Sequence, residues 1–317
     1  MHKILTIVFL LFLATYAKEI NPIATIETSG LVSDFVEDSG YLYVATDAGV
    51  VDIIDLSQQK IIDQIHFEPL KTAMGDLIPT RIHSIDRNKG KTLLITSGIS
   101  AYRNVWIHNG KELQKIIDET KHLMPKCAYF TREGKIIFGS FGSDVVLYDD
   151  KESYKLYENH ISESTMGGMV LSQDKRKMII SDESGSVRVL DVKSAKIEQT
   201  FDSEHVDNIY RVAYSKGVII TAGQDRRVGV YRSGQKAYHI KSDFLVYSVG
   251  LSPSGEIGLY SSGESHDLQL FYTKNGEKTD RLTGHYATPN KILFINENSI
   301  ISAGDESRIF FWMLKNN

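Results

Sequence analysis

Two histidines in this chain each head the same succession of side chains. His205 is followed by Thr221, Asp225 and Tyr231, and His285 by Ser302, Glu306 and Trp312. An imidazole with a carboxylate is the equipment of acid–base catalysis, which makes these sets the first places to look for chemistry. A second group is cationic: Arg81, Lys126, Arg211 and Lys291, each just before or within a run that reads as a strand. Brought to one level around a common axis, they would favour an anionic ligand or an acidic patch on a partner. Other chemistries leave no local motif. The sequence has no GxSxG, no phosphate-binding Gly-rich loop, no CxxCH and no His pair at metal-ligand spacing among its ten histidines. No catalytic residue, metal or cofactor is therefore assigned.

The elements that must position these residues are strands. Short runs rich in Val, Ile, Tyr and Phe are punctuated by Gly, Ser, Asn and Asp, with no helical stripe sustained over three turns. Seven runs share a pattern of apolar, any, apolar, bulky, often Asp: 51–55, 105–109, 145–149, 187–191, 228–232, 268–272 and 309–313. Five of the six intervals between their ends lie within one residue of 41. A period of about 40–45 residues with four strands per unit is propeller spacing.

Within single repeats the chain resembles the WD40 family. Tyr210 to Ser233 gives an inner strand closed by Ser215, a tight turn at Lys216 and Gly217, a second strand, the Asp225 turn, and a third strand with Tyr231 at the family's Trp position. Tyr247 to Tyr272 contains LSPSG, close to the family's first turn; Trp312 holds the Trp position and Gly284 with His285 forms the Gly-His pair. The resemblance covers residues 18–317 and implies an all-β, seven-bladed WD40-like β-propeller in one domain. It also implies that His205, Thr221, Asp225, Tyr231 and His285, Ser302, Glu306, Trp312 are buried hydrogen-bond chains, a structural role that competes with the catalytic one.

Seven blades require one strand more than the last repeat supplies. Glu19 to Gly30 is the unassigned strand-like stretch, and pairing it with Arg308 to Leu314 would close the ring and remove an open edge. Residues 1–17 read as a cleaved signal peptide: Lys3, an apolar run from Ile4 to Leu13, and small residues Thr15 and Ala17. That run is too short to span a bilayer, so no stable membrane insertion is expected. The single cysteine, Cys127, has no internal disulfide partner. A net charge of −4 without basic runs disfavours nucleic acid.

The first interval exceeds the common period by 13 residues, in a loop from His66 to Thr80 that offers Lys71, Met74 and Asp76 for partner contact. As a whole the chain resembles the WD40-type accessory proteins of bacterial periplasmic nitrate reductase systems. The resemblance implies a monomeric periplasmic platform for assembly, maturation or electron supply of the reductase, contacting its catalytic subunit or a redox partner. A propeller enzyme of lactonase or hydrolase type, or a small-anion sensor using the channel mouth, is the alternative.

Overall fold

The computed structural model describes residues 17–314; the expected signal peptide lies outside them except for Ala17. Seven sheets form the blades: in blades 1 to 5 four antiparallel strands follow in sequence order, blade 6 carries a fifth strand, and blade 7 takes its outer strand from the N-terminal segment. The inner strands are Val32–Asp38, Ile82–Asn88, Pro125–Phe130, Met166–Leu171, Ile209–Ser215, Val249–Leu251 and Pro289–Phe294. The seven patterned runs are the third strands, the last being Arg308–Met313. Second and third strands are packed on both faces, so that Leu42, Val44, Val51 and Ile54 of blade 1 are all fully buried. The core lies between blades: Val32, Phe35 and Leu42 of blade 1 pack on Ile301, Ile309 and Phe311 of blade 7.

Tight turns set the register. Lys216 and Gly217 have φ of 47° and 82°, and Ser39 and Gly40 have 57° and 86°. Two successive positive φ values define the turn whose twist suits an antiparallel pair, which is why a Gly ends each. At the other end of the inner strands a bulge recurs. The register shifts between Val32 and Asp34, Pro125 and Cys127, Met166 and Gly168, Ile209 and Arg211, and Pro289 and Lys291. A bulge re-aims the inserted side chain, so neighbouring residues at the channel entrance do not simply alternate.

The ring closes as expected, by a more elaborate device. Ala24–Glu27 pairs antiparallel with Arg308–Met313, but the stretch before it is a separate strand. Glu19–Ile20 runs parallel to Lys278–Leu282, the outer strand of blade 6. Arg281 and Thr283 donate their N–H groups to the Lys18 and Ile20 carbonyls at 2.9 Å, and Ile23 donates to the Phe311 carbonyl at 2.8 Å. Asn21 and Pro22 interrupt the strand expected over Glu19 to Gly30, and the chain straps blade 6 to blade 7. The 66–80 segment is a hairpin, with Leu70–Lys71 paired to Leu77–Ile78.

Candidate functional site: the channel mouth and its rim

The His-headed sets are assembled as the WD40 resemblance implies. In blade 7, His285 Nδ1 meets Glu306 at 2.6 Å and Nε2 meets the Ser302 hydroxyl at 2.7 Å, while the Trp312 indole donates to the same hydroxyl at 2.8 Å. The Ser302 hydroxyl is buried and already engaged by an indole, so substrate has no approach to it. In blade 5, His205 bridges Asp225 at 2.9 Å and Thr221 at 2.7 Å. Burial lowers the His205 pKa against the opposing pull of Asp225. The chain stops there: the Tyr231 hydroxyl lies near Thr221 but is buried without a well-formed hydrogen bond.

Related devices escaped sequence reading because their residue types change. Four residues before the inner strand of blade 4, where blades 5 and 7 carry His, Ser162 donates to the fully buried Asp182 at 2.7 Å. Ser184 and Arg188 also bind Asp182; burial raises its pKa, and these donors outweigh burial and hold it low. In blade 2, the Trp106 indole donates to Thr96 at 3.0 Å, two residues later on the second strand and two earlier on the third than the Trp312 bond. Counting back from each inner strand would have found Ser162.

The four cations of the sequence reading share one end of the propeller but not one level. Lys126, Arg211 and Lys291 line the central cavity of about 450 Å³. Lys126 is the inserted residue of its bulge, whereas Arg211 and Lys291 follow theirs. Arg81 precedes its strand and is exposed outside that lining. The Lys126 ammonium reaches across to blade 4 and donates to the Met166 carbonyl at 2.5 Å. Lys291 is paired with Asp34, which also accepts from the Ile85 N–H at 3.0 Å. Arg103, absent from the sequence reading, donates to the Pro125 carbonyl at 3.0 Å and lies 4.7 Å over the Phe141 ring.

These cations depress one another. Arg103 is pulled down to about 10 by burial, with Arg81 adding to the effect. His83 is driven down to about 3 by burial and then by Arg103 and Arg81, so it stands neutral beside Ser97 at 2.9 Å. Burial lowers Lys126, with Arg211 and Arg103 in the same direction and Glu183 and Cys127 opposed. Cys127, half-buried in the channel wall, has its thiol raised to about 11 by burial, the state of an unreactive thiol.

Apolar side chains surround this mouth. Leu31, Met124, Val206 and Tyr286 are exposed in the connections that lead into inner strands, Ile99 in the blade 2 loop on the same face, and Met74 at the tip of the hairpin. Met74 is 94% exposed and Val206 73%. Lys71 and Asp76 are exposed on the same hairpin. On the opposite face the exposed large apolar side chains are Tyr41, Tyr154, Ile197, Tyr272 and Met313, each at the end of a strand rather than within a loop. Among the described residues no group of three or more His, Cys, Asp or Glu is placed to hold a metal ion.

Strands, register and buried chains together define a WD40-like, seven-bladed β-propeller. No family model matches the sequence, and no curated protein sequence matches it. Among solved structures the chain resembles the β-propeller domain of Cps50 (Swd1) from Myceliophteria thermophila, at a TM-score of 0.74 and 14% identity. The likeness covers 93% of this chain and 100% of that one, and it establishes the fold.

Proposed function

We propose that this protein is an exported, non-catalytic platform that holds another protein against the face where the inner strands begin. The observation that carries this reading is the set of exposed apolar residues carried on loops around a basic mouth, Met74 and Val206 the most exposed of them. Apolar anchors within a polar surround are what protein interfaces use. The His sets are sealed into blades and leave that face to recognition. The sequence resemblance to accessory proteins of periplasmic nitrate reductase makes the reductase's catalytic subunit, or a redox partner, the expected occupant. The platform then acts in assembly, maturation or electron supply, and the redox chemistry belongs to the partner.

Two experiments test the two levels. Val206→Asp with Tyr286→Asp should abolish co-purification of the partner from the native host, while Tyr154→Asp with Ile197→Asp on outer strands should leave it intact. Equal loss in both pairs would remove the face assignment. A clean deletion in the native host should lower the nitrate-reduction rate or the molybdenum content of the purified reductase. Wild-type values for both, with no co-purification, would remove the nitrate reductase role and leave the general platform.

A further inference from the structure

Within one channel, cations are treated in two ways. Lys291 is neutralised by Asp34, and at the opposite mouth Lys175 lies 3.8 Å from Asp86 and donates to the Phe130 carbonyl at 2.8 Å. Across blades 2 to 5 the pattern reverses. Arg81, Arg103, Lys126 and Arg211 have no carboxylate within ion-pair distance among the described residues. Glu183, on the turn between the second and third strands of blade 4, is the carboxylate whose field reaches Lys126, and it forms no ion pair with it. Of the three ammonium donors of Lys126, one is met by Met166; the Arg211 guanidinium makes no hydrogen bond to the described residues.

Blade 4 sets bare backbone between them. Where blade 3 carries Lys126 and blade 5 carries Arg211, blade 4 has Gly167 and Gly168. A Cβ on Gly167 would stand 1.7 Å from the Ile209 carbonyl oxygen, so no side chain can fill that part of the wall. Bare backbone flanked by two cations, facing a cavity of about 450 Å³, has the size and charge of a small-ligand site. A cluster of like charges, of which Arg103 and Lys126 are partly buried, costs stability unless an anion completes it, and an acidic protein has carboxylates available to neutralise it as it does Lys291.

We propose that the channel mouth binds an oxyanion between Lys126 and Arg211, over the glycines of blade 4, either free in solution or as a carboxylate presented by a partner. Arg103 and Arg81 supply the surrounding positive field. The site shares its face with the proposed platform, but it is tested on the isolated protein, so loss of partner capture and loss of anion binding are separate results.

The probes are sulfate, succinate and a capped tri-aspartate peptide, titrated calorimetrically and by thermal shift against chloride at matched ionic strength. At least one should bind saturably and raise Tm. Arg211→Met and Lys126→Met should each weaken it at least tenfold. In the absence of anion, Arg211→Met should melt no lower than wild type, because a repelled charge has been removed. Lys291→Met, which breaks a paired cation, should leave anion affinity within twofold. Binding of sulfate or succinate identifies a free anion, and binding of the peptide alone identifies a partner's carboxylate. The proposal is overturned if none of the three exceeds chloride, or if Arg211→Met loses no more affinity than Lys291→Met. Arg211 is exposed, so its variant folds and gives the reading even if Lys126→Met does not.

Discussion

Blades 7 and 5 are built on one template and finished differently. Each has a His four residues before its inner strand, a hydroxyl on the second strand, a carboxylate in the next turn and an aromatic on the third strand. Each has a cation directly after the bulge, Lys291 or Arg211. In blade 7 the cation and the aromatic are both answered, Lys291 by Asp34 and the indole of Trp312 by Ser302, while the second carboxylate oxygen of Glu306 is buried without a partner. In blade 5 Arg211 is unpaired and the Tyr231 hydroxyl has no hydrogen bond. Blade 7 is where the ring is sealed, so pairing of its cation and its aromatic serves stability. Blade 5 takes no part in the seam, so loose ends there cost less and leave charge for recognition.

The largest effect should come from breaking the seam. Deleting Asn21 to Thr28 removes the fourth strand of blade 7 and the strap to blade 6, exposing the edge of Arg308–Met313. Aggregation, or a fall in Tm of more than about 10 °C, is expected. A monomer with unchanged Tm by light scattering and calorimetry would show that closure does not depend on the strap.

Trp312→Phe should cost about 2–3 kcal/mol in denaturant unfolding, since it empties space beside Phe310 and leaves Ser302 one donor short. A loss below about 0.5 kcal/mol would show that the chain in blade 7 is ornamental.

Acid should reveal the wall of cations. His83 is held at about 3, whereas an unfolded histidine titrates near 6.5. Between those values the unfolded chain binds the proton and the folded one does not, so stability present above about pH 6.5 is lost as pH falls toward 3. Stability should drop by on the order of 1–2 kcal/mol from pH 7 to pH 5, and His83→Gln should remove most of that slope. An identical pH profile in the variant would place the acid sensitivity elsewhere.

The smallest effect separates the two blades most sharply. Tyr231→Phe removes a hydroxyl that makes no hydrogen bond, so its unfolding free energy should stay within about 0.5 kcal/mol of wild type or rise. A loss comparable with that of Trp312→Phe would mean that the blade 5 chain extends to the tyrosine.

Much of the fold was legible in the sequence because it is periodic. Five of six third-strand intervals fall within one residue of 41, and a strand deficit at the last repeat points to closure by the N-terminal segment. The division of that segment was not legible, because Glu19–Ile20 finds its partner 262 residues away on blade 6. The His sets could be found from type and spacing. Ser162 with Asp182 shares the spacing but not the residue type, because a different donor and acceptor solve the same burial problem.

The sequence by itself determined the repeat, the turns and the two His chains, since each depends on residue types within one blade. Tertiary structure alone decided the site. Whether a cation is paired depends on what the neighbouring blade offers: Asp34 comes to Lys291 across the seam, while blade 4 sets bare glycine between Lys126 and Arg211. The bulges decide level, because Lys126 is the inserted residue of its bulge whereas Arg211 and Lys291 follow theirs, and Arg81, which precedes its strand, stays outside the cavity.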